Sequence, residues 1–311
     1  FAPTISALVH EMQKERGASA GFISSGGKKF TVKLPAQRKV TNSKKTDFDS
    51  AITAFDAAPY GATLVDKIAT ARKALTELTA KRAAISKLQI SVPKMAGYYT
   101  PTIGKLLVIV EEMAVLSSDA TLTKAIAAYT SFLQGKERAG IERAMGAAGF
   151  SSGKFKPVIY RKFIGLLAQQ NTFLGRFAIF STTEQKAFLK ATVKGNAVDE
   201  IDRMRKIAMT SPQSGSTGGI EGPYWFDTIT KKINLLKTVE DRVADDLVNL
   251  AGTLSAEART QLTVMLAVTL VLLIATLILT FLIVRSITRP IAGMTTTMAT
   301  LADGDTSATI E

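Results

Sequence analysis

Apolar residues recur along this chain at spacings of three and four over most of its length, and no stretch keeps a period of two. That periodicity puts apolar side chains on one face of a helix, so it predicts amphipathic helices and essentially no sheet. Pro3 and Thr4 open the first helix, which runs to about Ser24 and ends at Ser25-Gly26-Gly27. A second is expected from about Pro35 to Ala57, stopping before Pro59, and a third from Gly61 to about Ile90. Pro93 and Gly97 read as breakers, and Thr100-Pro101 as the N-cap and first position of a fourth helix ending near Ser117. Ser118 or Asp119 caps a fifth that ends near Gly149. The sixth runs from about Phe155 to Phe180, with Phe163, Phe173, Phe177 and Phe180 assigned to the core. Thr183 opens the seventh, which ends near Met209, and the glycine-rich stretch from Ser211 to Pro223 reads as a flexible loop. The eighth starts near Tyr224, with Tyr224-Trp225-Phe226 as a core plug. Ile229, Ile233, Leu236, Val243, Leu247, Leu250 and Leu254 then follow a coiled-coil-like 4-3 spacing, with Glu240 the polar exception. The expected fold is all-α, two four-helix antiparallel bundles continued by a membrane helix.

Two of these helices carry a charge on the wrong face. On the first, Ile5, Leu8, Val9, Met12, Ser19, Ala20 and Ile23 form an apolar stripe, and Arg16 lies near its middle. His10 and Lys14 fall on the polar side. A buried guanidinium must find acceptors or snorkel to the rim, because an unpaired buried charge is expensive. The following residues, from Gly17 to Gly21, are all small and admit a close helix or a small ligand. On the fifth helix Ile126, Tyr129, Leu133, Gly140, Ala144 and Ala147 form the apolar face. Arg143 sits at its edge, while Arg138 and Glu142 point to the opposite side. Two inward guanidiniums repel unless an anion lies between them, and the planar fork of Arg suits planar oxyanions. Pairing with carboxylates across the bundle is the alternative that the residues leave open.

The run Gln13-Lys14-Glu15-Arg16-Gly17-Ala18-Ser19-Ala20-Gly21-Phe22, followed by Lys136-Glu137 with Gly140, Glu142, Arg143 and Ala144, resembles the two motifs of the nitrate- and nitrite-sensing (NIT) domain. The resemblance covers roughly residues 4 to 255. It implies two four-helix bundles that bind nitrate or nitrite through the motif arginines, which by position are Arg16 and Arg143. Ser19, one turn from Arg16, is expected to donate a hydroxyl to the same anion, and Gly17 and Gly140 to permit close helix approach.

From Leu262 to Val284 the chain carries no charge over about 34 Å of helix, enough to span a bilayer. Arg285 and Arg289 follow, which places the C-terminal side in the cytoplasm. The tail, Arg285-Ser286-Ile287-Thr288-Arg289-Pro290-Ile291 with Met294, Met298, Leu301 and Gly304-Asp305, resembles the start of a HAMP linker, whose second helix is absent. A juxtamembrane helix lying on the lipid surface is the bland alternative. The expected organisation is an extracytoplasmic sensory domain over 1–261, a transmembrane helix over 262–284 and an incomplete HAMP linker over 285–311. A receptor of this build normally opens with a first membrane helix, so the expectation is that the true start precedes Phe1.

Lys and Arg number 39 against 26 Asp and Glu, a net charge of +13. The basic residues are spread singly along helices, without interleaved aromatics, and this reads as solvated surface with no nucleic-acid partner. The absence of Cys excludes disulfides and thiol chemistry. With His10 the single histidine, no metal site, cofactor or catalytic set is expected, and the chain reads as no enzyme. The reading is the sensory part of a dimeric receptor of the methyl-accepting chemotaxis type in a bacterial inner membrane. Its sensory domain is periplasmic or extracellular, and it signals to cytoplasmic proteins through a C-terminal module. A shift of the sensory helices would pass along the eighth helix to the span. The rivals are the same architecture sensing another ligand or a partner protein, and a membrane-anchored helical scaffold that senses nothing.

Overall fold

The computed structural model describes residues 1–304 and 307, so Asp305 of the expected Gly304-Asp305 pair lies outside the described residues. Among the described residues there are eleven α-helices and no strand. The chain divides into two compact units, Phe1–Leu250 and Ala251–Glu311.

The first unit opens with α1 (Ala2–Ser24), α2 (Lys33–Ala54), α3 (Ala62–Thr76), α4 (Leu78–Ser86) and α5 (Val92–Leu116). It continues with α6 (Ala120–Ser151), α7 (Pro157–Phe180), α8 (Thr183–Thr192), α9 (Asn196–Ser214) and the first part of α10 (Gly222–Ile283). Asp119 caps α6, its side chain accepting from the Leu122 N–H at 2.7 Å. Two helices expected as single pieces are each two. The third divides at Glu77 into α3 and α4, and the seventh divides before Gly195, whose φ of +100° suits glycine, into α8 and α9. Apolar periodicity continues across the first break, through Ile68, Leu75, Leu78 and Ile85, which is why the pattern hides it. Thr100-Pro101 does not start a helix. α5 begins at Val92 behind the N-cap Ser91, with Pro93 in its first turn and Pro101 inside. An interior Pro costs roughly 3 kcal/mol, and burial of Tyr98, Tyr99, Ile103, Leu106 and Leu107 around it offsets that.

The order of elements repeats. α1 and α6 each end on Gly-Phe and a Ser-Ser-Gly turn, each is followed by a second helix and two short helices, and α5 and α10 close the halves. The packing repeats with it. Phe30 lies against Gly21 of α1 and Phe155 against Gly149 of α6, each where a Cβ would stand. α1 packs on α2, α5 and α6, and α6 packs on α1, α5 and α7. These two helices are therefore surrounded, which corrects the helical-wheel reading of their polar faces. His10 is buried, and Glu15 and Glu142, the latter expected to face outward, are both 0% exposed. The apolar seam of α10 is consumed within the first unit, where Trp225, Phe226, Ile229, Ile233, Leu236, Val243 and Leu247 are buried while Tyr224 is exposed.

In the second unit, residues 251–283 are helical, a π-helical turn spans Val284–Thr288, and α11 covers Arg289–Ala302. This helix is long and apolar enough to cross a membrane, with a mean hydropathy of 3.0 over its most apolar 18 residues.

Candidate functional site

α1 and α6 bring Arg16 and Arg143 together in the interior of the first unit, both 0% exposed. Small residues make this possible, and the packing is reciprocal. A Cβ on Gly17 of α1 would stand 3.1 Å from Arg143 Nε and 2.9 Å from the ring of Phe226. A Cβ on Gly140 of α6 would stand 3.0 Å from Arg16 Nη2. Each glycine thus cedes its side-chain volume to the other helix's guanidinium.

The two arginines differ in how their charge is met. Arg16 is held by a carboxylate fork: Nη1 donates to Glu137 Oε1 at 2.6 Å and Nη2 to Oε2 at 3.0 Å. Nη1 also donates to Thr100 Oγ1 at 3.0 Å, and Gln13 Nε2 donates to Glu137 Oε2 at 2.7 Å. For Arg16, pairing across the bundle is the outcome. Arg143 has no carboxylate partner among the described residues. Its Nη1 donates to Thr230 Oγ1 at 3.1 Å, and its guanidinium lies 5.2 Å from the Phe226 ring centroid. Its Nε and Nη2 have no hydrogen-bond partner among the described residues. Burial first, then the charge of Arg16, push Arg143 down from the ordinary arginine range to about 9, opposed by Glu11 and Glu137. It remains a cation at neutral pH.

Three further polar atoms in this part of the interior are buried without partners: Ser19 Oγ, Gln13 Oε1 and Arg16 Nε. Of these, Ser19 Oγ and Arg16 Nε are donors and Gln13 Oε1 is an acceptor. Unpaired buried donors are costly, so the two donors together with the uncompensated Arg143 are chemically suited to a small anion with several acceptor oxygens. Arg138 lies apart from this arrangement, stacked 4.4 Å from the Phe173 ring centroid and donating to Gln134.

Beneath the arginines, each preceding glutamate is clamped by an arginine from its own half. Arg82 of α4 donates to both oxygens of Glu15, at 2.7 and 2.6 Å, and Tyr99 Oη donates to Glu15 Oε1 at 2.7 Å. Arg205 of α9 donates to both oxygens of Glu142 at 2.7 Å, and Gln170 Nε2 donates to Oε2 at 2.8 Å. Trp225 Nε1 donates to the Arg143 carbonyl at 3.1 Å, and its ring fills the place of a side chain on Gly146. Glu137, Thr100 and Thr230 were not singled out as functional by sequence reasoning. Glu137 stood inside the quoted Lys-Glu-Arg run, and two threonines on distant helices carry no local signal.

Residues 7–248 match the family described as nitrate and nitrite sensing. The nitrate regulatory protein of Klebsiella oxytoca is 32% identical over 255 residues, covering 82% of this chain and 63% of that protein. This chain therefore spans less than two thirds of that relative's length. The solved structure of the NasR transcription antiterminator superposes with a TM-score of 0.73 at 30% identity, over 81% of this chain and 68% of that one. These likenesses correct the expected partners at one point, the exclusion of nucleic acid, in an expectation that also held a homodimer, the inner membrane and cytoplasmic signalling proteins. A similar chain belongs to a transcription antiterminator, so this helical module does not exclude nucleic acid. The physical reason is that a sensing module's own charge distribution carries no information about the output to which it is joined. Over most of its length the chain belongs to the nitrate- and nitrite-sensing (NIT) family.

Proposed function

We propose that the first unit binds nitrate or nitrite between Arg16 and Arg143, and that the chain is the sensory part of a transmembrane signalling receptor of the chemoreceptor kind. The single observation carrying the site is Arg143, a wholly buried guanidinium with no carboxylate and two unsatisfied nitrogens. An oxyanion accepts from those nitrogens and from Ser19 Oγ, and it relieves the repulsion between Arg143 and Arg16. Gly17 and Gly140 let the two helices approach closely enough to share it. The ligand favours whichever helix arrangement offers it more donors, and it shifts the population toward that arrangement by its differential affinity alone.

The transmembrane part of the reading rests on residues 262–284, with residues 1–261 on the outer face of a bacterial plasma membrane and the HAMP-like residues 285–311 on the inner. The uncharged stretch and the arginines after it support that orientation.

The test is thermal unfolding of the full chain in detergent with nitrate, nitrite and chloride, for the wild type, Arg143→Met and Arg16→Ala. At one hundred times its dissociation constant a ligand adds about 2.7 kcal/mol of stability. Nitrate or nitrite is expected to stabilise the wild type and neither variant. Without ligand, Arg143→Met is expected to be as stable as wild type or more so, because it removes an uncompensated buried charge, whereas Arg16→Ala strands Glu137 and is destabilised. Trp225, the single tryptophan, reports on Arg143 through its hydrogen bond, and its emission is expected to shift on binding. A wild type indifferent to both oxyanions sinks the sensor reading.

A further inference from the structure

Charge bookkeeping in the first unit singles out what kind of anion its interior accepts. Three cationic side chains, Arg16, Lys136 and Arg143, are buried among the described residues. Arg16 is matched by Glu137 and Lys136 by Glu240 of α10. Arg143 is matched by no carboxylate. The buried carboxylates Glu15, Glu142 and Glu112 are likewise met, by Arg82, Arg205 and Lys67. The cluster of Arg16, Glu137 and Arg143 is therefore left with one net positive charge.

The internal repeat explains how this arises. Glu137 stands six residues before Arg143 on α6, and the residue six before Arg16 on α1 is His10. The first half thus offers an imidazole where the second offers a carboxylate. The imidazole is buried and lies in the field of Lys136 and Arg143, among other cations. Arg16 gains a counter-charge from the opposite helix and Arg143 does not.

We infer that Glu137 is the specificity-determining residue of this site. By cancelling the charge of Arg16 it restricts the pair of arginines to singly charged anions and rejects dianions such as sulfate. The inference rests on the nitrate-site reading above and adds the charge class of the ligand to it. A monoanion neutralises the cluster. A dianion overshoots by one charge and lies beside the Glu137 carboxylate in a water-poor interior, where like charges repel strongly. Discrimination of this kind comes from the repulsive element rather than from added attraction.

The experiment is binding of sodium nitrate and sodium sulfate to the full chain in detergent at fixed ionic strength. It follows Trp225 emission and the melting temperature for the wild type and for Glu137→Gln, Glu137→Asp and Thr230→Asp. In the wild type nitrate is expected to bind and sulfate not. Glu137→Gln, which keeps the shape of the fork and removes its charge, is expected to shift the nitrate-to-sulfate preference toward sulfate by about tenfold or more. Glu137→Asp retains the charge and is expected to retain the preference. Thr230→Asp puts a carboxylate against Arg143 Nη1 and is expected to abolish nitrate binding. An unchanged preference in a folded Glu137→Gln overturns the inference and leaves the sensor reading standing. If Glu137→Gln shows no cooperative melt, Thr230→Asp decides, since nitrate binding at wild-type affinity there overturns it. A wild type that binds neither anion overturns the sensor reading and this inference together.

Discussion

The imidazole of His10 shows how much one buried side chain reports about its surroundings. Burial, and then the charges of Lys136, Arg143, Lys14 and Lys237, hold its pKa well below the ordinary 6.5. Its Nδ1 has no hydrogen-bond partner among the described residues, and its Nε2 lies 3.8 Å from Glu11, which is itself paired with Lys14. In the unfolded chain the same imidazole takes up a proton at about pH 6.5. Below that pH the unfolded state binds more protons than the folded one, so this position withdraws stability as pH falls. His10→Gln, which cannot charge, is therefore expected to flatten the acid limb of the stability profile below about pH 6.5. Chemical denaturation at a series of pH values measures this, and parallel profiles for variant and wild type would refute it.

At the scale of the element, the two halves use one device twice. A long helix carries Glu-Arg, its glutamate is clamped by an arginine from a short helix of the same half, and its arginine is turned toward the other half. In the second half that clamp is Arg205 on Glu142, with the carboxylate 0% exposed. Removing one partner of such a pair leaves a buried charge, which typically costs about 3 kcal/mol or more. Arg205→Met is thus expected to be destabilised by that order in urea unfolding, and Arg205→Met/Glu142→Gln to recover most of the loss. A double variant no more stable than the single one would show that the clamp acts through packing instead. α4 and α9, one in each half, are pieces separate from the helix before them, and it is these pieces that carry Arg82 and Arg205.

At the scale of the whole molecule, the two units present different surfaces. The first buries its seam of α10 against its own helices. The second exposes a continuous apolar surface in which Leu270, Leu273 and Leu277 are each more than half exposed. An exposed surface of that length and apolarity is suited to lipid. The chain is expected to resist carbonate extraction from membranes. Leu273→Arg, which places a charge at the centre of the span at a cost of roughly 2.5 to 3.5 kcal/mol, is expected to weaken that retention. Release of the wild-type chain by carbonate would remove the transmembrane assignment.

Periodicity alone determined the all-α class, because a 3.6-residue repeat is a local property of the chain. It likewise marked the uncharged stretch from Leu262 to Val284, and it placed Arg16 and Arg143 inward, since helical wheels need no tertiary information. Motif residues carried the family. The breaks at Glu77 and before Gly195 were hidden, since an apolar stripe can continue through a change of axis. Pro93 and Pro101 exchanged roles because burial around Tyr98 and Ile103 outweighs one lost backbone hydrogen bond. Only the fold could reveal that α1 and α6 are enclosed over most of their length, and hence that His10, Glu15 and Glu142 are buried. Above all, the tertiary structure decided the difference between the two arginines. Which of them meets a carboxylate depends on contacts between residues more than a hundred positions apart, and Glu137 reaches Arg16 while among the described residues no carboxylate reaches Arg143.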